Sequence, residues 1–162
     1  MDFPHHYEET SLIPASASDV FYFIDDHSRF SSHMSRSSWM MWRGKMETQI
    51  DEGKGQKVGS HIRMEGKVFG INLFLDEVVT EHTPPSRKVW KTVGNSKLLV
   101  IGNYQMEISL IPENGKTKLK VFIDYDLPTG GLRLLGYLFG GMYARWCVKQ
   151  MLSGVAEYFK SK

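Results

Sequence analysis

Little in this sequence points to a covalent or electrostatic specialism. One cysteine, Cys147, stands among 162 residues, which excludes an internal disulfide and fits a reducing compartment. The spacings that hold a metal, paired Cys-x-x-Cys or His-Glu-x-x-His, are missing, so no metal is expected. Neither a Gly-x-Ser-x-Gly elbow nor the full phosphate-binding pattern Gly-x-x-x-x-Gly-Lys-Ser/Thr occurs. No sign of charge prevails. The 20 Lys and Arg against 18 Asp and Glu leave +2, and the dispersed basic residues make no footprint for nucleic acid. Long apolar runs are lacking too: the longest uncharged stretch, 134–144, is too short and too rich in glycine to span a bilayer. The opening residues MDFPHHYEE have neither the basic nor the apolar region of a signal peptide. The expectation is a soluble cytoplasmic protein without cofactor, one domain over residues 1–162, long enough for a core without staples.

What the chain does have is rhythm. Residues 6–13 alternate and stop at Pro14, as an opening strand does. Ser16-Ala-Ser-Asp19 then offers a capping box, and Val20, Phe21, Phe23 and Ile24 give the following helix an apolar face. A second short helix, rich in serine, is expected over 27–34. From Ser38 the period drops to two. Met40, Trp42, Gly44, Met46 and Thr48 share one strand face. After the turn 51–55, Val58, Ser60, Ile62, Met64 and Val68 share another, against His61, Arg63, Glu65 and Lys67. Gly70 turns the chain into 71–81, apolar on both faces at first and ended by Pro84-Pro85. A strand follows at 87–93. Another runs over 99–111, with Tyr104, Met106, Ile108 and Leu110 on one face. The Glu113-Asn114-Gly115 turn is a hairpin signal, leading to Leu119, Val121, Ile123, Tyr125 and Leu127.

Residues 130–162 read as one long helix. Leu132, Leu135, Phe139, Met142 and Trp146, then Val148, Leu152, Val155 and Phe159, recur at helical spacing, opposite Lys149, Ser153, Glu157 and Lys160. Gly136, Gly140 and Gly141 fall in its first half, each costing about 1 kcal/mol against alanine in a helix interior. They signal either a yielding helix beside a space or the close approach of another backbone. The expected fold is α+β, a helix grip. A seven-stranded curved antiparallel sheet, built as a meander of short turns, wraps around the long C-terminal helix, with two short helices after the first strand.

Three stretches carry a resemblance to a known group. Ser11-Leu-Ile-Pro-Ala-Ser-Ala-Ser-Asp-Val-Phe21 resembles the first strand and helix of the START-related, birch-pollen-allergen-like superfamily, the polyketide cyclase/dehydrase and lipid-transport group. Val79-Thr-Glu-His-Thr-Pro-Pro-Ser-Arg87 is similar to that group's strand ending in a Pro-Pro turn. The hairpin Ile111-Pro-Glu-Asn-Gly-Lys-Thr117 and the closing helix complete the match, which covers nearly the whole chain. It implies a ligand cavity between sheet and helix and transfers no catalytic motif. Members include lipid and sterol carriers, hormone receptors, polyketide cyclases and ubiquinone-binding proteins, so fold alone does not fix function.

Candidate ligand-binding residues are Met40, Met64, Tyr104, Met106, Tyr125, Leu135, Phe139, Met142 and Tyr143. Their adaptable thioethers and few hydroxyls suit an apolar pocket, and an ordinary filled core is the alternative. Glu77, His33 and Tyr104 are the catalytic candidates. Glu77 sits on a strand with two apolar faces, where the outward direction is favoured; inward, its raised pKa would make it a general acid. His33 qualifies only if it reaches the cavity mouth. Gly53-x-Gly55-x-x-x-Gly59 has strands on both sides and reads as a hairpin turn, not a phosphate loop. Three functions follow. The first is binding, with transport or sensing, of a hydrophobic or amphipathic small molecule or lipid. The second is a cyclase or dehydratase acting on a polyketide-like substrate in the same cavity. The third is docking of the apolar helix start, around Leu134, Tyr137 and Leu138, on a membrane surface or a partner protein. A monomer or homodimer is expected, without nucleic acid.

Overall fold

In a computed structural model, residues 3–26, 46–68 and 70–161 are described. Strand β1 (His5–Ile13) alternates between exposed and partly buried positions until Ile13, which is fully buried. Ser16 then starts helix α1 (Ala17–Asp25) as a capping box. Its hydroxyl accepts the Asp19 amide at 3.1 Å and donates to the Asp19 carboxylate at 2.7 Å, satisfying an amide that the first helical turn leaves without a partner. Val20, Phe21, Phe23 and Ile24 of α1 are buried, as their spacing predicts. The second short helix expected at 27–34, the strand start at 38–45, and with them His33 and Met40, lie outside the described residues.

Six further strands follow: β2 (Met46–Ile50), β3 (His61–Val68), β4 (Ile71–Thr83), β5 (Arg87–Thr92), β6 (Tyr104–Glu113) and β7 (Lys116–Tyr125). A 3-10 turn, Gly130–Leu132, leads into the terminal helix α2 (Arg133–Lys160). The seven strands among the described residues form one antiparallel sheet in the order β1-β7-β6-β5-β4-β3-β2. Short connections explain most of that order. At the β6–β7 turn Asn114 and Gly115 both take positive φ, 48° and 75°, which a two-residue hairpin demands. At the β4–β5 turn the Pro84-Pro85 peptide is cis and the Ser86 amide bonds the Thr83 carbonyl at 2.9 Å. Strand β1 alone leaves sequence order: Tyr7 lies opposite Ile123 of β7.

The sixth strand begins later than its alternation predicts, at Tyr104 and not at Leu99. Gly102 and Asn103 are drawn instead to the chain after β7: the Gly102 amide bonds the Asp126 carbonyl at 2.9 Å, and the Asn103 amide bonds the Asp126 carboxylate at 2.6 Å. The core lies between the concave face of the sheet and the helices. Leu75, Val79, Trp90, Met106, Ile108, Leu119, Val121 and Ile123 meet Ala144, Val148, Met151, Leu152 and Val155 of α2. Among the described residues no helix is long and apolar enough to cross a membrane.

The packed face of α2 differs from the one its large apolar residues predict. Gly136, Gly140, Ala144, Cys147, Val148, Met151, Leu152 and Val155 are buried, whereas Leu135, Phe139 and Met142 are 41 %, 42 % and 51 % exposed. The reason is close approach. A Cβ on Gly136 would stand 2.4 Å from Pro128 Cδ and 3.1 Å from the Val100 carbonyl oxygen. One on Gly140 would stand 2.9 Å from that same oxygen. The first half of the helix therefore rests on backbone, and only the smallest side chains allow that separation.

Candidate functional site

The concave face carries one acidic side chain in an otherwise aliphatic row. Leu73, Leu75, Glu77 and Val79 of β4 all point inward and are buried, Glu77 to 3 % exposure. This overturns the outward reading of Glu77. The alternation holds the signal: residues 73, 75 and 79 are aliphatic, while Asn72, Asp76 and Thr80 occupy the other face.

Two donors meet Glu77 at one oxygen. Trp90 Nε1–H of β5 donates to Oε1 at 3.1 Å, and the Tyr104 hydroxyl of β6 donates to the same atom. Oε2 is buried and has no hydrogen-bond partner among the described residues. Burial is the main cause that raises the Glu77 carboxyl to about 7; the bonds from Tyr104 and Trp90 and the charge of Lys88 pull it down, and Asp76 pushes it slightly up. With both donors on Oε1, the proton of the neutral form belongs on Oε2. Near neutral pH this carboxyl can therefore give or take a proton at that atom.

Helix α2 places Tyr143 and Cys147 near this cluster, close enough for each to shift the other's ionisation. Burial pushes the Cys147 thiol up to about 12, which keeps it protonated and unsuited to nucleophilic work. Burial, then the Glu77 charge, holds Tyr104 well above its ordinary value. Tyr143 is raised as well, first by Cys147. Both phenols are thus neutral donors.

A second polar group closes the same face at the end of α1. Lys88 of β5 is buried, with Nζ 2.8 Å from Asp25 Oδ1, and His82 Nε2 lies 3.0 Å from both Asp25 oxygens. Burial lowers the Lys88 pKa and Asp25 opposes that shift. The ammonium is already committed, so Asp25, His82 and Lys88 form a structural tie between α1 and the β4–β5 hairpin. Among the described residues no three His, Cys, Asp or Glu side chains are placed to hold a metal. Two depressions lie elsewhere. One of about 480 Å³ is lined by Glu47, Glu65, Lys67, Asn72 and Phe74 among others, and one of about 260 Å³ by Gln49, Ile50, Asp51, His61 and Arg63. Their linings mix both faces of the sheet, Leu73 and Ile50 sharing the face of Glu77, but neither includes Glu77, Trp90 or Tyr104.

With this geometry in place, comparison with known proteins is informative. Residues 4–160 match the profile of the family described as polyketide cyclase / dehydrase and lipid transport. The chain belongs to this family. Solved structures of the same fold agree. A norcoclaurine synthase point mutant from Thalictrum, in complex with a transition-state analogue, has a TM-score of 0.67 at 12 % identity, over 97 % of this chain and 94 % of that one. Protein TTHA0849 from Thermus thermophilus has 0.66 at 14 %, over 97 % and 98 %. Ara h 8.0201 has 0.60 at 13 %, over 98 % and 99 %. At such identities the likeness is one of fold, the helix grip of the birch-pollen-allergen-like superfamily. No curated protein matches the sequence.

Within this member of the family, the sequence candidates scatter. Tyr104, Met106 and Tyr125 are buried on the concave face, and Met64 and Tyr143 pack partly buried against it. Leu135, Phe139 and Met142 stand on the exposed side of α2. Glu77 and Tyr104 touch each other; His33 and Met40 lie outside the described residues. Trp90, Lys88, Asp25, His82 and Cys147 are the additions the structure makes. Parity along β5 carried part of that signal, since Lys88, Trp90 and Thr92 alternate inward as a buried set.

Proposed function

We propose that this protein binds a hydrophobic or amphipathic small molecule between the concave face of its sheet and helix α2, with Glu77 and Tyr104 at the polar end. The observation that carries this reading is Glu77 Oε2, a buried polar atom without a protein partner in the described interior. Leaving such an atom unsatisfied costs about 1–3 kcal/mol, and more when it is charged, a cost that a bound polar group offsets. Trp90, Met106 and Tyr143 supply the apolar and aromatic surroundings such a ligand needs. The family description, which joins lipid transport to polyketide chemistry, agrees with it. Native mass spectrometry of the purified protein, with organic extraction, tests the reading. A co-purifying small molecule, or a rise in melting temperature with apolar ligands, is the expected result. Neither appearing across lipids and aromatic compounds would refute it.

The cyclase or dehydratase reading uses the same carboxyl, since Glu77 can exchange a proton near neutral pH. Its test is turnover of a polyketide-like carbonyl substrate that Glu77→Gln abolishes. A membrane-docking reading has its own support. Leu134, Tyr137, Leu138 and Met142 are each more than half exposed on α2. Arg133, Arg145 and Lys149 accompany them, with no acidic residue over 127–156. That composition suits an anionic lipid surface. Flotation with anionic vesicles should carry the protein upward, and Leu138→Glu should release it.

A further inference from the structure

We infer that the ligand of this interior presents a hydrogen-bond donor, an ammonium group above all, and that Glu77 Oε2 is the atom that receives it. The inference rests on the binding reading above and adds the chemistry of the ligand's polar end. It begins from the division of labour within one carboxyl group. Oε1 accepts from both Trp90 and Tyr104, whereas Oε2 accepts from nothing among the described residues. Once ionised, the carboxylate has room for further donors there, so at alkaline pH the position selects for a donor.

The charges around Glu77 decide which donor suits best. On β5, Lys88 is committed to Asp25. On β4, Asp76 faces the opposite side of the sheet, bonded to His61 at 2.8 Å and to Arg63 at 3.1 Å. On β6, Tyr104 is neutral, and on α2 Tyr143 and Cys147 are neutral as well. The charge of Glu77 thus has no dedicated cation in the described interior. A carboxylate or phosphate head would bring a second negative charge into a low-dielectric space. A hydroxyl would satisfy the hydrogen bond alone. An ammonium satisfies the bond and the charge together. Affinity should therefore fall from amine to alcohol to carboxylate for one and the same apolar tail. The competing occupant of Oε2 is an ordered water, which would show no such order.

The test uses the full chain with N-phenyl-1-naphthylamine as fluorescent reporter, displaced by decylamine, decanol or decanoate. At pH 8.5 decylamine should compete at least about tenfold better than decanoate, equivalent to about 1.4 kcal/mol, with decanol between them. At pH 5.5, where Glu77 holds its proton and decylamine keeps its own, the advantage should shrink several-fold. Glu77→Gln should remove the preference while the reporter still binds. Leu138→Glu, on the exposed face of α2, should leave reporter binding and preference intact, which separates the interior from the surface. Equal displacement by all three compounds, with the reporter bound, overturns the inference and leaves ligand binding standing. A reporter that never binds, together with no ligand by mass spectrometry, overturns the binding reading itself. Should Glu77→Gln fail to fold, the pH comparison on the unaltered protein decides.

Discussion

Replacing Glu77 with glutamine should stabilise the ligand-free protein at pH 8 and change little near pH 4. In the folded state the carboxyl titrates at about 7, whereas its ordinary value, taken for the unfolded chain, is 4.5. Between those two values the native protein holds a proton that the unfolded chain has released. Unfolding then releases that proton, and stability falls as pH rises. The contribution is fully present below about pH 4.5 and is lost once pH has passed about 7. The interval corresponds to about 3 kcal/mol. Glutamine reproduces the protonated group closely: its carbonyl accepts from Trp90 and Tyr104, and its amide nitrogen stands where Oε2–H stood. Urea denaturation of both proteins, followed by tryptophan fluorescence from pH 4 to 8.5, isolates the effect, because every other titration is common to both. The stability difference should be near zero at the acid end and grow to about 3 kcal/mol in favour of Glu77→Gln by pH 8. A difference that stays flat across this range would show that Glu77 is hydrated in the folded protein and would refute the account of its burial.

Other substitutions probe the frame around this site. Gly136→Ala should destabilise by about 1–3 kcal/mol, because the new methyl meets Pro128 and the Val100 carbonyl. Gly141→Ala should instead stabilise by about 0.5–1 kcal/mol, since its nearest contact would be the Tyr125 hydroxyl at 3.6 Å. Opposite signs in denaturant midpoints for these two glycines are the check. Asp25→Ala should cost about 3–5 kcal/mol by leaving Lys88 buried without its partner, and adding Lys88→Met should recover much of the loss in a thermal melt. Ser16→Ala should cost about 1 kcal/mol through the lost cap of α1.

Periodicity made the sheet readable where one face is wet. In β6 and β7 the alternation of Tyr104, Met106, Ile108 and Leu110, and of Leu119, Val121, Ile123 and Tyr125, matches the buried set. Strand β4 was harder, because Phe74 and Val78 on its outer face blur the contrast, and a lone glutamate in an apolar run looks like a surface residue. The partners of Glu77 were beyond sequence reasoning altogether. Trp90 and Tyr104 reach it from two other strands, 13 and 27 residues away, and only the register of the sheet brings them together. The terminal helix misled for a different reason. Hydrophobicity counts large side chains, but the face of α2 that meets Val100, Leu127 and Pro128 is built from Gly136 and Gly140, whose virtue is to be small. Leucines and a phenylalanine are thereby left outside.

Strand β1 carries a consequence in time. Among the described residues its one neighbour in the sheet is β7, with Ser11 opposite Leu119 and Tyr7 opposite Ile123, and Thr117 fastens its end through the Ala15 carbonyl at 2.8 Å. A ribosome that has finished β1 must add more than a hundred residues before that partner exists. At about 5–20 residues per second this is a delay on the order of 5–20 s, during which the strand's backbone groups are open to any other extended chain. The exposed His6 and Glu8 of the strand read as guards for that interval, since charged and titratable side chains discourage pairing with a stray edge. Neutralising them should lower the yield of soluble protein during synthesis far more than it alters the stability of the finished fold.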